Sequence, residues 1–95
     1  MFIINITYKV DLTEVESHLE KHIEYIKEEF SKGNFIASGK KNPRDGGIII
    51  SNLEDKAELE AILDRDPFKI NDIAIFNIIE FLPTRVGKGY ENLLK

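Results

Sequence analysis

The chain has 95 residues, 42% of them hydrophobic and 32% charged, with 17 acids against 13 bases and a formal net charge of -4. That length suits one domain, spanning 1–95, and the composition excludes wholesale disorder. The acidic balance argues against nucleic-acid binding through bulk charge, and the absence of cysteine excludes a disulfide scaffold, a thiolate metal site and a Cys nucleophile.

The first residues, Met1-Phe2-Ile3-Ile4-Asn5, carry no basic region and soon turn polar, so no signal peptide is expected. No apolar run approaches the ~20 residues of a membrane helix. A cytoplasmic protein without membrane contact is the expectation. Phe2, Ile4, Ile6, Tyr8 and Val10 alternate with Ile3, Asn5, Thr7 and Lys9, which predicts a strand with one strongly apolar face. Asp11 or Thr13 can cap the helix that follows, with Glu14 and Glu16 in its first turn. Val15, Leu19, Ile23, Ile26 and Phe30 then predict one continuous helix of about five turns, buried along that stripe. Gly33 is its expected C-terminal stop.

Phe35 to Ser38 predicts a short second strand, and Asn42-Pro43-Arg44-Asp45-Gly46-Gly47 a turn. Ile48 to Ser51 predicts a central strand buried on both faces. Ser51 or Asn52 can cap a second helix ending near Leu63. Pro67 stops that helix and holds Asp66 extended. Ile73 to Leu82 predicts a fourth strand, and Lys88 to Lys95 a weak terminal helical turn.

The order β-α-β-β-α-β predicts an α+β fold of the ferredoxin-like, split βαβ type, with both helices on one side of the sheet. On the fourth strand Ile73, Ile75, Ile79 and Phe81 point one way, and Ala74, Phe76, Ile78 and Leu82 the other. Helices can bury only one of these sides. The other would expose a contiguous apolar patch, so a homodimer through the sheet face is expected. The alternative is that the C-terminal tail folds back over the face.

The candidate chemistry begins with His22, expected half-buried at the margin of the helix stripe, with His18 nearer to solvent. Such a histidine can be a general acid or base if something orients its ring. From helix position alone, a structural histidine bonded to a backbone carbonyl is the better account. Asp66 adds weight to the catalytic one, since a carboxylate there can fix the imidazole tautomer. Spacing alone slightly favours Asp66 as a simple turn cap. His18 and His22 with Glu14 have metal-like spacing, but a solvated helix face explains them better, and no metal is expected.

Arg44, set among Pro43, Asp45, Gly46 and Gly47, can grip a carboxylate or phosphate, and glycines let backbone N–H groups approach a ligand. The plainer account is a tight hairpin with an exposed arginine. Ser38 is a weak nucleophile candidate that can bind substrate through its hydroxyl. Lys40 and Lys41 are expected in solvent. The strand Gly47 to Ser51 lacks the stacking aromatics of RNA-recognition domains, which disfavours RNA.

These pieces resemble the YciI-like (YCII-related) family. The likeness rests on His22, then Gly33, Phe35, Ser38 and Gly39, then Pro43, Arg44, Gly46 and Gly47, then Asp66-Pro67-Phe68. The closing Ile78-Ile79-Glu80-Phe81 also fits. The resemblance covers nearly the whole chain and implies a ferredoxin-like fold that dimerises through its sheet as a dimeric α/β barrel. It implies a cleft with a His–Asp pair, here His22 and Asp66. Ser38, Gly39, Pro43, Arg44, Gly46 and Phe68 would contact substrate. Some relatives act in the breakdown of chlorinated aromatic compounds. Lys40 stands where many members place a proline, which changes the charge at the pocket mouth.

The expected function is a cofactor-free enzyme using His22 and Asp66 for isomerisation, elimination or hydrolysis of a small organic substrate. No redox cofactor machinery is visible. The rival from another class is a non-catalytic module that binds or senses a small ligand on the same fold.

Overall fold

Apolar and polar residues alternate along the first strand, β1 (Phe2–Tyr8), of the computed structural model, which describes residues 1–94. Phe2, Ile4 and Ile6 are buried, while Ile3, Asn5 and Thr7 point the opposite way. Then come α1 (Leu12–Ser17), α2 (Leu19–Ser31), β2 (Ala37–Lys40), β3 (Gly46–Ser51), α3 (Lys56–Leu63), α4 (Pro67–Ile70) and β4 (Ala74–Glu80). A 3-10 turn, Glu91–Leu93, lies where a terminal helical turn is expected. Lys95, the end of that expected turn, lies outside the described residues.

The sheet order is β2-β3-β1-β4, with every neighbouring pair antiparallel. The connections β1 to β2 and β3 to β4 both cross over, which is the ferredoxin-like arrangement. Phe2, Ile4, Ile6, Ile49 and Ala74 of the sheet share one core with Val15, Tyr25, Leu59, Ile62, Leu63 and Phe68 of the helices. The opposite sheet face is open: Ile75 is 57% exposed and Ile79 49%. The C-terminal tail does not bury these residues.

Several local expectations are corrected. The first helix is broken at His18, whose φ of -111° and ψ of 1° leave the helical region. Ser17 Oγ donates to the Glu14 carbonyl at 2.6 Å and His18 N–H to the Val15 carbonyl at 3.0 Å, so α1 tightens and ends. The stripe is also turned relative to the core. On α2 it is Tyr25 and Glu29 that are buried, while Ile23 and Phe30 are exposed.

The second strand lies two residues later than expected, because Phe35 is drawn into the core ahead of it. β3 begins at Gly46 rather than Ile48, so Gly46 and Gly47 are strand residues. It is an inner strand, but Ile48 and Ile50 on its open face are only half-buried. A Cβ on Gly46 would lie 1.7 Å from the Ile6 carbonyl oxygen, so only glycine lets β3 approach β1 there. Asp55, not Ser51 or Asn52, caps α3 by accepting from Ala57 N–H at 2.9 Å. Ser51 Oγ instead donates to the Asn34 carbonyl at 2.7 Å. Ile73 is buried ahead of β4 and does not belong to the open face.

Gly33 does end α2. Its φ is 78°, and its N–H bonds the Phe30 carbonyl at 3.0 Å while Asn34 N–H bonds that of Glu29 at 3.0 Å. That pair of bonds is a Schellman cap. Among the described residues no helix is long and apolar enough to cross a membrane.

Candidate active site

Pro67 at the first position of α4 and the extended Asp66 before it (ψ 125°) make Asp66 the N-cap of that helix. Asp66 Oδ1 accepts from Phe68 N–H at 2.9 Å. The same oxygen lies 2.8 Å from His22 Nδ1. The cap and the histidine partner, alternatives in the sequence, are therefore one oxygen with two donors. With Asp66 as a carboxylate, which can only accept, the contact requires the hydrogen on Nδ1, and a neutral ring would then keep its lone pair on Nε2. Asp66 is fully buried and its Oδ2 has no hydrogen-bond partner among the described residues.

A second contact two turns along α2 fixes the same loop. Buried Glu29 Oε1 accepts from Arg65 Nη2 at 2.7 Å, and Glu29 Oε2 lies 3.4 Å from Asn34 Nδ2. His22 and Glu29 thus hold Asp66 and Arg65, consecutive residues, against one face of α2. Between them Tyr25 donates its hydroxyl to the Ile62 carbonyl at 2.7 Å. Burial raises its pKa well above the ordinary phenol value, and the charges of Asp66 and Glu29 add to the shift. Tyr25 therefore stays protonated and serves as a structural donor.

Phe68 packs flat on the imidazole, with ring centroids 3.8 Å apart and planes 5° from parallel. Tyr8 meets Phe68 edge-on at 5.9 Å. The His22 side chain is only 15% exposed. Its Nε2 has no hydrogen-bond partner among the described residues and is not among the buried orphan atoms, so it reaches open space.

That space is a cleft of about 450 Å³ between α2 and the helix-side face of the sheet. Leu19, Ile23, Ile26 and Phe30 line it from α2, and Ile6, Tyr8 and Ile49 from the sheet. The apolar stripe that the sequence assigns to the core is thus largely the wall of the cleft. Of the sequence-derived site residues, His22, Ser38, Gly39, Arg44, Gly46 and Phe68 line it. Pro43 does not, and Asp66 lies behind His22 rather than on the surface of the cleft.

Sequence reasoning missed Lys27, which lines the cleft; Lys40 is exposed, as expected, and also lines the cleft, where the family resemblance put it at the mouth. Strand alternation was the available signal for Lys40. Ser38 and Lys40 pair with Ile49 and Gly47 on the cleft side, while Lys41 falls on the open face. There Lys41 Nζ bonds Asn5 Oδ1 at 3.0 Å and Thr7 Oγ1 at 3.1 Å. Arg44 Nη1 reaches Glu16 Oε1 at 3.4 Å, and its Nε is buried without a partner among the described residues. Among the described residues no three His, Asp or Glu side chains are grouped so as to hold a metal ion.

The model of the YCII-related domain matches residues 1–82. The chain belongs to the YCII-related family. No curated protein matches the sequence. Among solved structures the chain is similar to 5-chloro-2-hydroxyhydroquinone dehydrochlorinase (TftG) from Burkholderia phenoliruptrix AC1100, in complex with 2,5-dihydroxybenzoquinone. The TM-score is 0.71 at 15% identity, covering 84% of this chain and 91% of that one. At that identity the likeness establishes the fold alone: an α+β, ferredoxin-like chain.

Proposed function

We propose that this YCII-related protein is a cofactor-free acid/base enzyme acting on a small organic substrate in the cleft, with His22 as the proton-transfer group and Asp66 as its orienter. The carrying observation is the 2.8 Å contact between Asp66 Oδ1 and His22 Nδ1, with Nε2 left open to the cleft. In the forward step a substrate C–H bond breaks and its proton goes to Nε2, while the electron pair stays on the substrate. His22 is the only ion-pair partner of Asp66 among the described residues, so the imidazolium forms against a buried carboxylate that nothing else neutralises. Return of the proton to another substrate atom gives isomerisation; departure of a leaving group gives elimination. Ser38, Gly39, Arg44 and Gly46 border the substrate. The similarly folded TftG is a dehydrochlorinase, which supports elimination among these outcomes.

The working unit in this proposal is a homodimer joined through the open sheet face, which carries Ile75 and Ile79.

The test has two parts. Long-range 15N NMR of the His22 ring is expected to show the Nδ1–H tautomer in the wild type and a mixed population in Asp66→Asn. Incubation of candidate carbon acids in deuterated water is expected to give exchange that His22→Ala abolishes. Exchange that survives His22→Ala would overturn the proposal. A ligand recovered intact and unexchanged after long incubation would instead make the cleft a binding site without chemistry.

A further inference from the structure

We infer that the cleft selects a small organic anion, a compact apolar body bearing one carboxylate or comparable oxyanion, with its charge held by Lys40 and Arg44. This rests on the cleft being the substrate site and adds the class of molecule it takes.

Acids outnumber bases 17 to 13 in the whole chain. The ionised side chains that line the cleft are nevertheless Lys27, Lys40 and Arg44, and no acidic side chain lines it. The one carboxylate near the chemistry, Asp66, is buried behind His22 and engaged there. Segregating positive charge into a concave site with apolar walls focuses the field on whatever enters. An ammonium-bearing ligand would find no counter-charge on this surface.

Arg44 has donors to spare. Its buried Nε lacks an acceptor among the described residues, and its contact to exposed Glu16 is long at 3.4 Å. A buried guanidinium donor without a partner is costly, and an incoming oxyanion satisfies it, in the fork geometry that arginine offers to carboxylates. Lys40 reaches the same space from β2 beside Ser38, whose hydroxyl has no partner among the described residues. Opposite Lys40 stands Gly47, which presents no side chain to fill the floor. The α2 wall, Leu19, Ile23, Ile26 and Phe30, is apolar and matches an apolar body rather than a second charge.

Glu16 then has a defined part. It competes for Arg44 when the cleft is empty and is displaced when an anion binds. It is a specificity-determining residue outside the cleft surface.

The test uses the full 15N-labelled chain titrated with benzoate and, separately, with benzamide, its neutral counterpart of similar shape. Benzoate is expected to bind saturably, shifting the amides of Ser38, Lys40, Arg44 and Gly46, and to weaken with added salt. Benzamide is expected to bind at least about tenfold more weakly. Arg44→Gln should weaken benzoate about tenfold and Lys40→Gln about threefold, whereas Glu16→Gln should tighten it about twofold. Benzamide binding as tightly as benzoate, unchanged affinity in both Arg44→Gln and Lys40→Gln, or no saturable benzoate binding would each overturn the inference. The proton-transfer proposal is read separately from exchange in deuterated water. If benzoate binding persists where His22-dependent exchange is never found, the anion class stands and the chemistry falls. If exchange is found but benzoate does not bind, the anion class alone falls.

Discussion

The ring of Phe68 lies on the ring of His22 at 3.8 Å, nearly parallel, while the backbone N–H of the same Phe68 bonds the Asp66 oxygen that holds His22 Nδ1. One residue therefore fixes both the plane of the imidazole and the position of its carboxylate. A side chain whose rotamer is locked by packing and by a second hydrogen bond is what proton transfer at a set geometry requires.

Phe68→Leu tests that relationship. It removes the stacked ring while leaving the backbone bond to Asp66. The stacked phenyl shields the His22 ring protons, so their NMR signals should move downfield in the variant. Stability should fall by about 1–2 kcal/mol, as judged by urea unfolding, from lost stacking and imperfect repacking. Unmoved His22 ring signals would mean that the two rings do not stack in solution.

The order of strands and helices was legible because each element carries a strong local pattern. Alternation marks β1, a β-branched run marks β3, and Pro67 marks the end of α3. What the pattern could not give was the direction in which an apolar stripe faces. Leu19, Ile23, Ile26 and Phe30 are equally suited to a core and to a ligand wall, and hydrophobic periodicity does not distinguish them. Tyr25 and Glu29, off the stripe, are the buried pair because each has a long-range partner, the Ile62 carbonyl and Arg65. Such partners are invisible in local spacing. The meeting of His22 and Asp66, 44 residues apart, likewise needed the fold. The break at His18 turns on a local Ser17 hydrogen bond that competes with the helix.

Gly46 is expected to be intolerant of any side chain. The added Cβ would meet the carbonyl of Ile6 at 1.7 Å, an immovable backbone atom in an inner strand pair. Gly46→Ala must push β3 away from β1 and should cost about 2–4 kcal/mol. It should also disturb the Arg44 turn that opens onto the cleft. Gly39→Ala is the control, since nothing lies within 4 Å of its Cβ position. Equal denaturation midpoints for the two variants would refute the close approach.

Alkaline pH should destabilise the protein through Tyr25. Its hydroxyl is buried and bonded to the Ile62 carbonyl, and burial first, then the Asp66 and Glu29 charges, raise its pKa in the folded state. Above the ordinary phenol value of about 10, the unfolded chain releases this proton while the folded chain keeps it. The contribution is thus fully present below that value and is lost as the pH climbs above it. Comparing urea unfolding at about pH 8 and about pH 11 should show a smaller alkaline loss in Tyr25→Phe than in the wild type. The variant should itself be about 1 kcal/mol less stable at the lower pH, from the lost hydrogen bond. An alkaline loss of the same size in both proteins would assign the effect to other groups.

The open sheet face should hold two copies together. Ile50, Ile3 and Ile79 are paired across β3, β1 and β4, forming an apolar row on the side the helices leave bare. Ile75 on the same face is 57% exposed. The lysine on this face is already engaged, since Lys41 bonds Asn5 and Thr7 and lies 3.5 Å from Asp45. Covering this face therefore buries apolar surface without orphaning that lysine, which favours association. Light scattering at micromolar concentration should give the mass of a dimer. Ile79→Asp places an unpaired carboxylate at the centre of the contact and should weaken association at least about a hundredfold, yielding monomer. Its far-UV spectrum should remain that of the wild type, because Ile79 contributes nothing to the helix-side core. A wild-type protein that scatters as a monomer would show that this face stays open in solution.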